Sequence, residues 1–231
     1  MQWDGLTTPT WPTEISNIES KREIAEQLAN RANDGDVIGI GSGSTSFLAL
    51  LALGKRVSAQ GLSINCVPTS LEIESVCTRL GLPITSLVAA RPDWCFDGAD
   101  EVDPSHNMIK GRGGAFVREQ LVFAAAKKRI ILVDESKFVD RLGTTHGVPL
   151  GVIPEASNLV RNTLGEQLGV MPEVRPAGGK DGGVIDEHAL LVMDLAIDGS
   201  MDPKDLETLL LTTPGISATG LFVGYEYEII S

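Results

Sequence analysis

The chain has 231 residues and a formal net charge of −12, with 42% hydrophobic and 22% charged residues. That length buries one large core, or a large and a small one, and the composition is that of an ordinary soluble globular protein. The negative balance argues against nucleic acid as a partner, since phosphate backbones need clustered Lys and Arg. No apolar run approaches the roughly 20 residues that cross a bilayer, so no membrane partner is expected either.

Residues Met1 to Pro12 lack a basic n-region, an apolar core and a small-residue cleavage site, and are not read as a signal peptide. Lys21 to Ala32 has helical periodicity through Ile24, Ala25, Leu28 and Ala32, with Asn33-Asp34-Gly35 as a stop. A short β-rich run, Val37 to Ile40, enters Gly41-Ser42-Gly43-Ser44-Thr45-Ser46, and an apolar helix from Phe47 to Leu53 is expected to end at Gly54. Leu62 to Val67 reads as a second strand. Thr69-Ser70-Leu71-Glu72 then has a capping-box pattern before a helix that stops at Gly81. Trp94 to Phe96 is a third strand, Ala115 to Ala126 a helix and Ile130 to Val133 a fourth strand. Continuous apolar strands bounded by helices predict a mostly parallel α/β sheet covered by helices on both faces.

The rhythm changes after Gly143. Pro149 to Ile153, Glu173 to Arg175, Leu190 to Ile197 and Ile216 to Val223 read as strands. Ser157 to Leu168 and Pro203 to Leu211, the latter capped by Asp202, read as helices, and Pro176 to Gly183 is the most flexible-looking loop. The order βαββαβ is that of a smaller ferredoxin-like α+β domain. The expected division is a catalytic α/β domain over residues 1–144 and the small domain over 145–224, with 225–231 a candidate to return to the main sheet. Cys66, Cys77 and Cys95 lack C-x-x-C spacing and read as reduced core thiols of a cytoplasmic protein. His106, His146 and His188 share no ligand spacing, so no metal site is expected.

Chemistry concentrates in three stretches. The loop Gly41 to Ser46, placed at a helix start, makes a nest of backbone N–H groups on a positive helix end, which binds anions without any side-chain charge. Ser42, Ser44 and Thr45 add hydroxyls to it, although a plain tight turn with helix caps fits the same residues. A dinucleotide fingerprint would have a third glycine where Ser46 stands, and an acid where Val67-Pro68-Thr69 ends the next strand. Asp97-Gly98-Ala99-Asp100-Glu101 follows a buried strand, so its carboxylates emerge where open α/β sheets bind ligands. Its spacing does not suit a calcium loop, and turn capping alone would also explain it.

The third stretch runs from Lys110 to Glu119. Gly111, Gly113 and Gly114 let the backbone approach a ligand, and Lys110 can neutralise a developing oxyanion. Glu119, among apolar neighbours on a helix, suits a general base if partly buried, while a solvent-facing helical Glu is the default reading. A phosphorylated substrate would need the few cations gathered at one site, and Lys21, Lys110 and Lys137 are the candidates. Together these stretches point to chemistry on a small anionic substrate.

In combination, the motifs resemble ribose-5-phosphate isomerase of the A type. The matching blocks are Gly39 to Thr45, Asp97 to Glu101, Met108 to Gly111 with Gly113-Gly114, Arg118-Glu119, Asp134-Glu135-Ser136-Lys137, and Pro214-Gly215-Ile216 with Gly220-Leu221-Phe222. The resemblance implies interconversion of D-ribose 5-phosphate and D-ribulose 5-phosphate in the pentose phosphate pathway, without metal or organic cofactor. It implies that Glu119 moves a proton between carbons 2 and 1 through an enediolate, that Lys110 stabilises the enediolate oxygens, and that Asp97 and Asp100 hold sugar hydroxyls and help to open the ring. Ser42, Gly43, Ser44 and Thr45, Gly98 and Ala99, and Gly111, Arg112 and Gly113 would line the phosphosugar site, with charge from Lys137 and Lys21. It further implies a homodimer, or a dimer of dimers.

Departures from the family pattern are Arg112 in place of a glycine, Gln120 in place of a lysine and Ser42 in place of a threonine, with residues 1–20 preceding the family's first helix. None removes a catalytic group. A catalytically silent sugar-phosphate sensor on the same scaffold would keep the phosphate loop but lose Glu119 or Lys110, and both are present. A nucleotide-dependent oxidoreductase is disfavoured by the missing third glycine, and a coenzyme A transferase on a related fold is further off.

Overall fold

The computed structural model describes residues 9–179 and 181–231. In chain order its elements are α1 (Ile18–Ala29), β1 (Val37–Ile40), α2 (Ser44–Gln60), β2 (Asn65–Pro68), α3 (Leu71–Arg79), β3 (Trp94–Gly98), β4 (Glu101–Val102), β5 (Met108–Ile109), α4 (Phe116–Ala125) and β6 (Lys128–Leu132). There follow β7 (Val148–Val152), α5 (Ser157–Leu168), β8 (Glu173–Val174), β9 (Leu191–Leu195), α6 (Pro203–Thr212), β10 (Ile216–Thr219), β11 (Leu221–Phe222) and β12 (Glu228–Ile230). Two compact units emerge. One holds the described residues up to Gly98 with Leu121–Glu135 and Tyr227–Ser231; the other holds Ala99–Gln120 and Ser136–Glu226.

The first unit is built on a parallel sheet of order β12-β6-β3-β1-β2. Ile38 and Ile40 of β1 enter a core with Ala25 and Leu28 of α1, Leu50 and Leu53 of α2 and Ile73 of α3. Gly39, between them, faces the other way, where a Cβ would meet Val122 of α4. The sheet is therefore covered on both faces, as its uninterrupted apolar strands require. Cys66, Cys77 and Cys95 are all buried.

Two local expectations change in this unit. Helix α2 does not stop at Gly54 but runs through it to Gln60, and Gly61 at φ 65° closes it. Gly54 is a packing residue: a Cβ there would come within 3.2 Å of Leu80 Cδ1. The cap of α3 is Ser70, whose hydroxyl accepts from the Ile73 N–H at 3.3 Å. Thr69 instead turns its hydroxyl to the Ile40 carbonyl at 3.0 Å, tying the end of β2 to the end of β1.

The second unit contains an antiparallel sheet of order β10-β7-β9-β8, with α5 and α6 in the chain order βαββαβ. Its core joins Val148, Leu150, Val160, Leu164, Met193, Leu195 and Leu210. Asp202 caps α6, accepting from the Lys204 N–H at 2.9 Å. A smaller sheet of order β11-β5-β4 completes the unit. The strand expected over Ile216 to Val223 is thereby split: β10 pairs with β7, and β11 pairs with β5. Gly220 makes the switch. Its N–H donates to the Pro149 carbonyl at 2.7 Å and its carbonyl accepts from the Lys110 N–H at 2.9 Å. A Cβ at this position would overlap both partners. The loop over 176–183, in which Lys180 lies outside the described residues, is closed by a Pro176–Gly183 bridge and by the Ala177 N–H donating to the Gly182 carbonyl.

Candidate functional site

In the first unit the glycine–hydroxyl loop joins β1 to α2 and is folded around Asp97. Oδ1 of this buried carboxylate accepts from the Ser42 N–H at 3.0 Å, the Ser46 hydroxyl at 3.3 Å and the Gly98 N–H at 2.8 Å. Gly41 is what allows so close an approach, because a Cβ there would overlap the Asp97 carboxyl. Gly43 takes φ 91° as the residue before the helix, a conformation that L side chains avoid. The half-buried Ser44 and Thr45 open the first turn of α2, where free N–H groups and the helix dipole favour an anion.

A charged cluster stands beside this loop. Lys21 of α1 is 5% exposed; its Nζ donates to Ser16 Oγ at 3.3 Å and Ser44 Oγ at 3.4 Å, and lies 4.0 Å from Asp134 Oδ2. The Ser42 and Thr69 hydroxyls are 2.8 Å apart. Lys21 is thus brought to the loop, in company with Asp134 at the end of β6 and Thr69 at the end of β2.

In the second unit Lys110 follows β5 and Glu119 lies on the first turns of α4. Both are buried, at 2% and 6% exposure, and Lys110 Nζ is 3.3 Å from Glu119 Oε2. The solvent-facing alternative for Glu119 is therefore excluded. Lys110 Nζ also lies 5.4 Å from the centroid of the Phe222 ring, a cation–π contact. Gly111 takes φ 95° with Phe116 beneath it, where a Cβ would come within 2.6 Å of the Phe116 Cβ. Asp100 Oδ2 accepts from the Arg112 N–H at 3.0 Å. The exposed Arg112 side chain, with Asp100, His146, Arg175 and Asp194, lines a cavity of about 400 Å³. Gly113 is exposed, Ala99 is buried, and Lys137 is half-buried in a short 3-10 turn, Glu135–Lys137.

Glu101, third of the clustered carboxylates, has a different task. It is fully buried and accepts from the Gly143 N–H, the Thr145 N–H and hydroxyl, and the His146 N–H. Burial pushes its proton affinity up, but the bonds from Thr145, Gly143 and His146 outweigh that and hold the carboxyl below its usual range. Glu101 therefore anchors the loop at 143–146. Among the described residues, no group of three or more His, Cys, Asp or Glu is arranged to hold a metal ion, and no helix is long and apolar enough to cross a membrane.

Comparison with known proteins places these features in a family. The family model described as ribose 5-phosphate isomerase A (phosphoriboisomerase A) matches residues 65–231. The chain belongs to the ribose 5-phosphate isomerase A family. A ribose-5-phosphate isomerase A from a Synechococcus species is 43% identical over 206 residues, covering 88% of each chain. One from Methanothermobacter thermautotrophicus is 38% identical over 211 residues, covering 91% of this chain and 92% of the relative. The solved ribose 5-phosphate isomerase A of Methanocaldococcus jannaschii superposes with a TM-score of 0.88 at 32% identity, covering 91% of this chain and 93% of that one. A D-ribose-5-phosphate isomerase solved in complex with phospho-erythronic acid superposes at 0.86 with 36% identity, covering 90% and 91%.

Several residues of this isomerase-family chain that touch the candidate site were not legible as site residues. Thr69 and Asp134 lie just past the C-terminal ends of β2 and β6, so their position after an apolar strand was an available signal, and Asp134 also opened the matching block Asp134-Glu135-Ser136-Lys137. Ser46 stood in the loop itself. Arg175 carried no local signal, because the carbonyls it binds lie 63 and 64 residues away in sequence.

Proposed function

We propose that the chain is an aldose–ketose isomerase that interconverts D-ribose 5-phosphate and D-ribulose 5-phosphate by proton transfer through an enediolate. The observation that carries the reading is the buried Lys110–Glu119 pair, with its 3.3 Å separation, in a chain of this family. The proton next to a carbonyl is weakly acidic. Its removal calls for a base shielded from water and a positive group at the oxygen where charge develops. An ammonium beside Glu119 favours the carboxylate form that a base requires. Glu119 takes the proton from carbon 2 and returns it at carbon 1, and Lys110 stabilises the enediolate oxygens.

The phosphosugar is held by the Ser42–Thr45 loop, with its N–H groups, hydroxyls and helix end, and Lys21 and Lys137 add charge. Gly98, Ala99, Gly111, Arg112 and Gly113 line the bound sugar. Asp100 engages sugar hydroxyls and assists ring opening. Asp97 shares that task, with the bonds to its Oδ1 supporting a second role in shaping the loop. No metal or organic cofactor enters the reaction. The same reading places the protein in the cytoplasm, in the pentose phosphate pathway, as a homodimer or dimer of dimers.

The test is incubation with D-ribose 5-phosphate in the presence of a chelator, with ketose detected directly and unphosphorylated ribose as control. Ketose from the phosphorylated sugar alone is the expected result. Binding of ribose 5-phosphate without ketose formation would replace this reading with a sugar-phosphate sensor, and complete, metal-reversible loss on chelation would reject the metal-free route.

A further inference from the structure

We propose that Arg175 is a positioning residue for the isomerisation, holding the Lys110–Gly113 turn through its backbone carbonyls. The inference rests on the assignment of Lys110 as the electrophile. Arg175 directly follows β8. Its own backbone is held on both sides, the N–H donating to the Val192 carbonyl at 3.0 Å and the carbonyl accepting from the Val184 N–H at 2.9 Å. From that anchored position the guanidinium forks. Nη1 donates to the carbonyls of Gly111 and Arg112, both at 2.9 Å, while Nε donates to Asp194 Oδ2 at 2.8 Å and Nη2 donates to Asp194 Oδ1. A planar group with five donors can serve a carboxylate on one edge and two carbonyls on another, which a lysine ammonium cannot do in one geometry.

The turn depends on such outside grips. Among the described residues, no atom beyond its chain neighbours lies within 4 Å of where a Cβ on Gly113 would stand, so packing does not hold the turn on that side. Gly111 is held at φ 95°, and further ties come from the Arg112 N–H to the Asp100 carboxylate, the Gly114 N–H to the Gly111 carbonyl and the Lys110 N–H to the Gly220 carbonyl. Arg175 is the side chain that fixes the carbonyl side of this turn, immediately after the lysine whose ammonium must meet the developing charge. Misplacing a reacting group by about 1 Å costs on the order of 10²-fold in rate. Loss of the clamp should therefore fall mainly on turnover, with a much smaller effect on binding through the sugar-lining Gly111–Gly113 backbone.

The cavity of about 400 Å³ lined by Arg175, Asp194, Arg112 and Asp100 gives a small guanidinium access to the vacated place, which makes the proposal testable by rescue. R175A is expected to lower kcat about 10- to 100-fold, to leave KM within about twofold, and to regain turnover with millimolar methylguanidinium. R175K should be intermediate in kcat with KM unchanged, and D194N should shift kcat in the same direction as R175A. A kcat within about twofold of the parent, a loss carried by KM, or a loss that methylguanidinium does not relieve would overturn the proposal. Should R175A fail to fold, R175K decides alone, and parent-like turnover in it refutes the clamp. K110A separates the two levels: normal turnover in K110A removes the electrophile assignment itself, whereas a silent K110A beside a parent-like R175A removes only the clamp.

Discussion

Replacing Glu119 with Gln should separate the chemistry of the buried pair from its contribution to folding. The amide keeps the size of the side chain and can accept a hydrogen bond from Lys110, but it cannot take a proton. Loss of a positioned general base costs about 10²–10⁴-fold, or roughly 3–5.5 kcal/mol of barrier. The folding cost follows from the 3.3 Å separation. At an effective dielectric of about 20, the charge attraction is about 5 kcal/mol. Desolvation of both ions opposes it, and the amide oxygen can accept a bond from the nearby ammonium, so a net loss of about 1–3 kcal/mol is expected. For a chain of this length that lowers the thermal midpoint by roughly 2–12 °C. Turnover is read by ketose formation, proton transfer by exchange of the carbon-2 hydrogen with deuterated solvent, and binding by calorimetry with ribose 5-phosphate. E119Q should bind the sugar while both turnover and exchange collapse. Near-parent turnover, or exchange that persists when net turnover is lost, would take the proton away from Glu119.

Three further outcomes are expected. Lys137→Ala should raise KM for the phosphosugar about tenfold, from about 1.5 kcal/mol of lost charge-assisted bonding at a half-buried position, and should barely change kcat; a fall in kcat alone would move Lys137 into the chemistry. Gly41→Ala should cost about 1–3 kcal/mol of stability and raise KM, because its Cβ overlaps the Asp97 carboxyl that shapes the anion loop; a parent-like melting curve and KM would show that the loop is not so held. Glu101→Gln should lower the thermal midpoint at neutral pH, since an amide donor would face N–H groups at a cost of about 1–3 kcal/mol. Because the folded Glu101 carboxyl lies below its ordinary value of 4.5, its contribution is present above that value and is lost as pH falls through the lower, folded one. Parent and Glu101→Gln melting points should therefore converge in acid, and a gap that stays constant down to pH 3 would contradict the argument.

Elements decided by near neighbours in the chain were readable from the amino acids alone. Helix Ser157–Leu168 and strand Val37–Ile40 have the bounds that periodicity and turn residues set. The three motif stretches stood out because glycine, hydroxyl and carboxylate side chains in close succession serve few purposes. What the chain order left open was the meaning of single glycines and the identity of distant partners. Gly54 resembles a helix stop until Leu80 is seen against it, and Gly220 sits inside what reads as one strand until Lys110 and Pro149 claim its backbone. The strands β4 and β5 are two residues each, too short for any period to register. Glu101 reads as one more carboxylate of the Asp97–Glu101 cluster, and only folding supplies the N–H groups of 143–146 that make it an anchor. Arg175 reads as an ordinary cation at the end of a strand, and only the sheet brings Asp194 and the Gly111 and Arg112 carbonyls to it. The reason is physical. Propensity, periodicity and capping act over a few residues and are written along the chain, whereas hydrogen bonds between segments some 60 residues apart exist only once tertiary packing has brought those segments into reach.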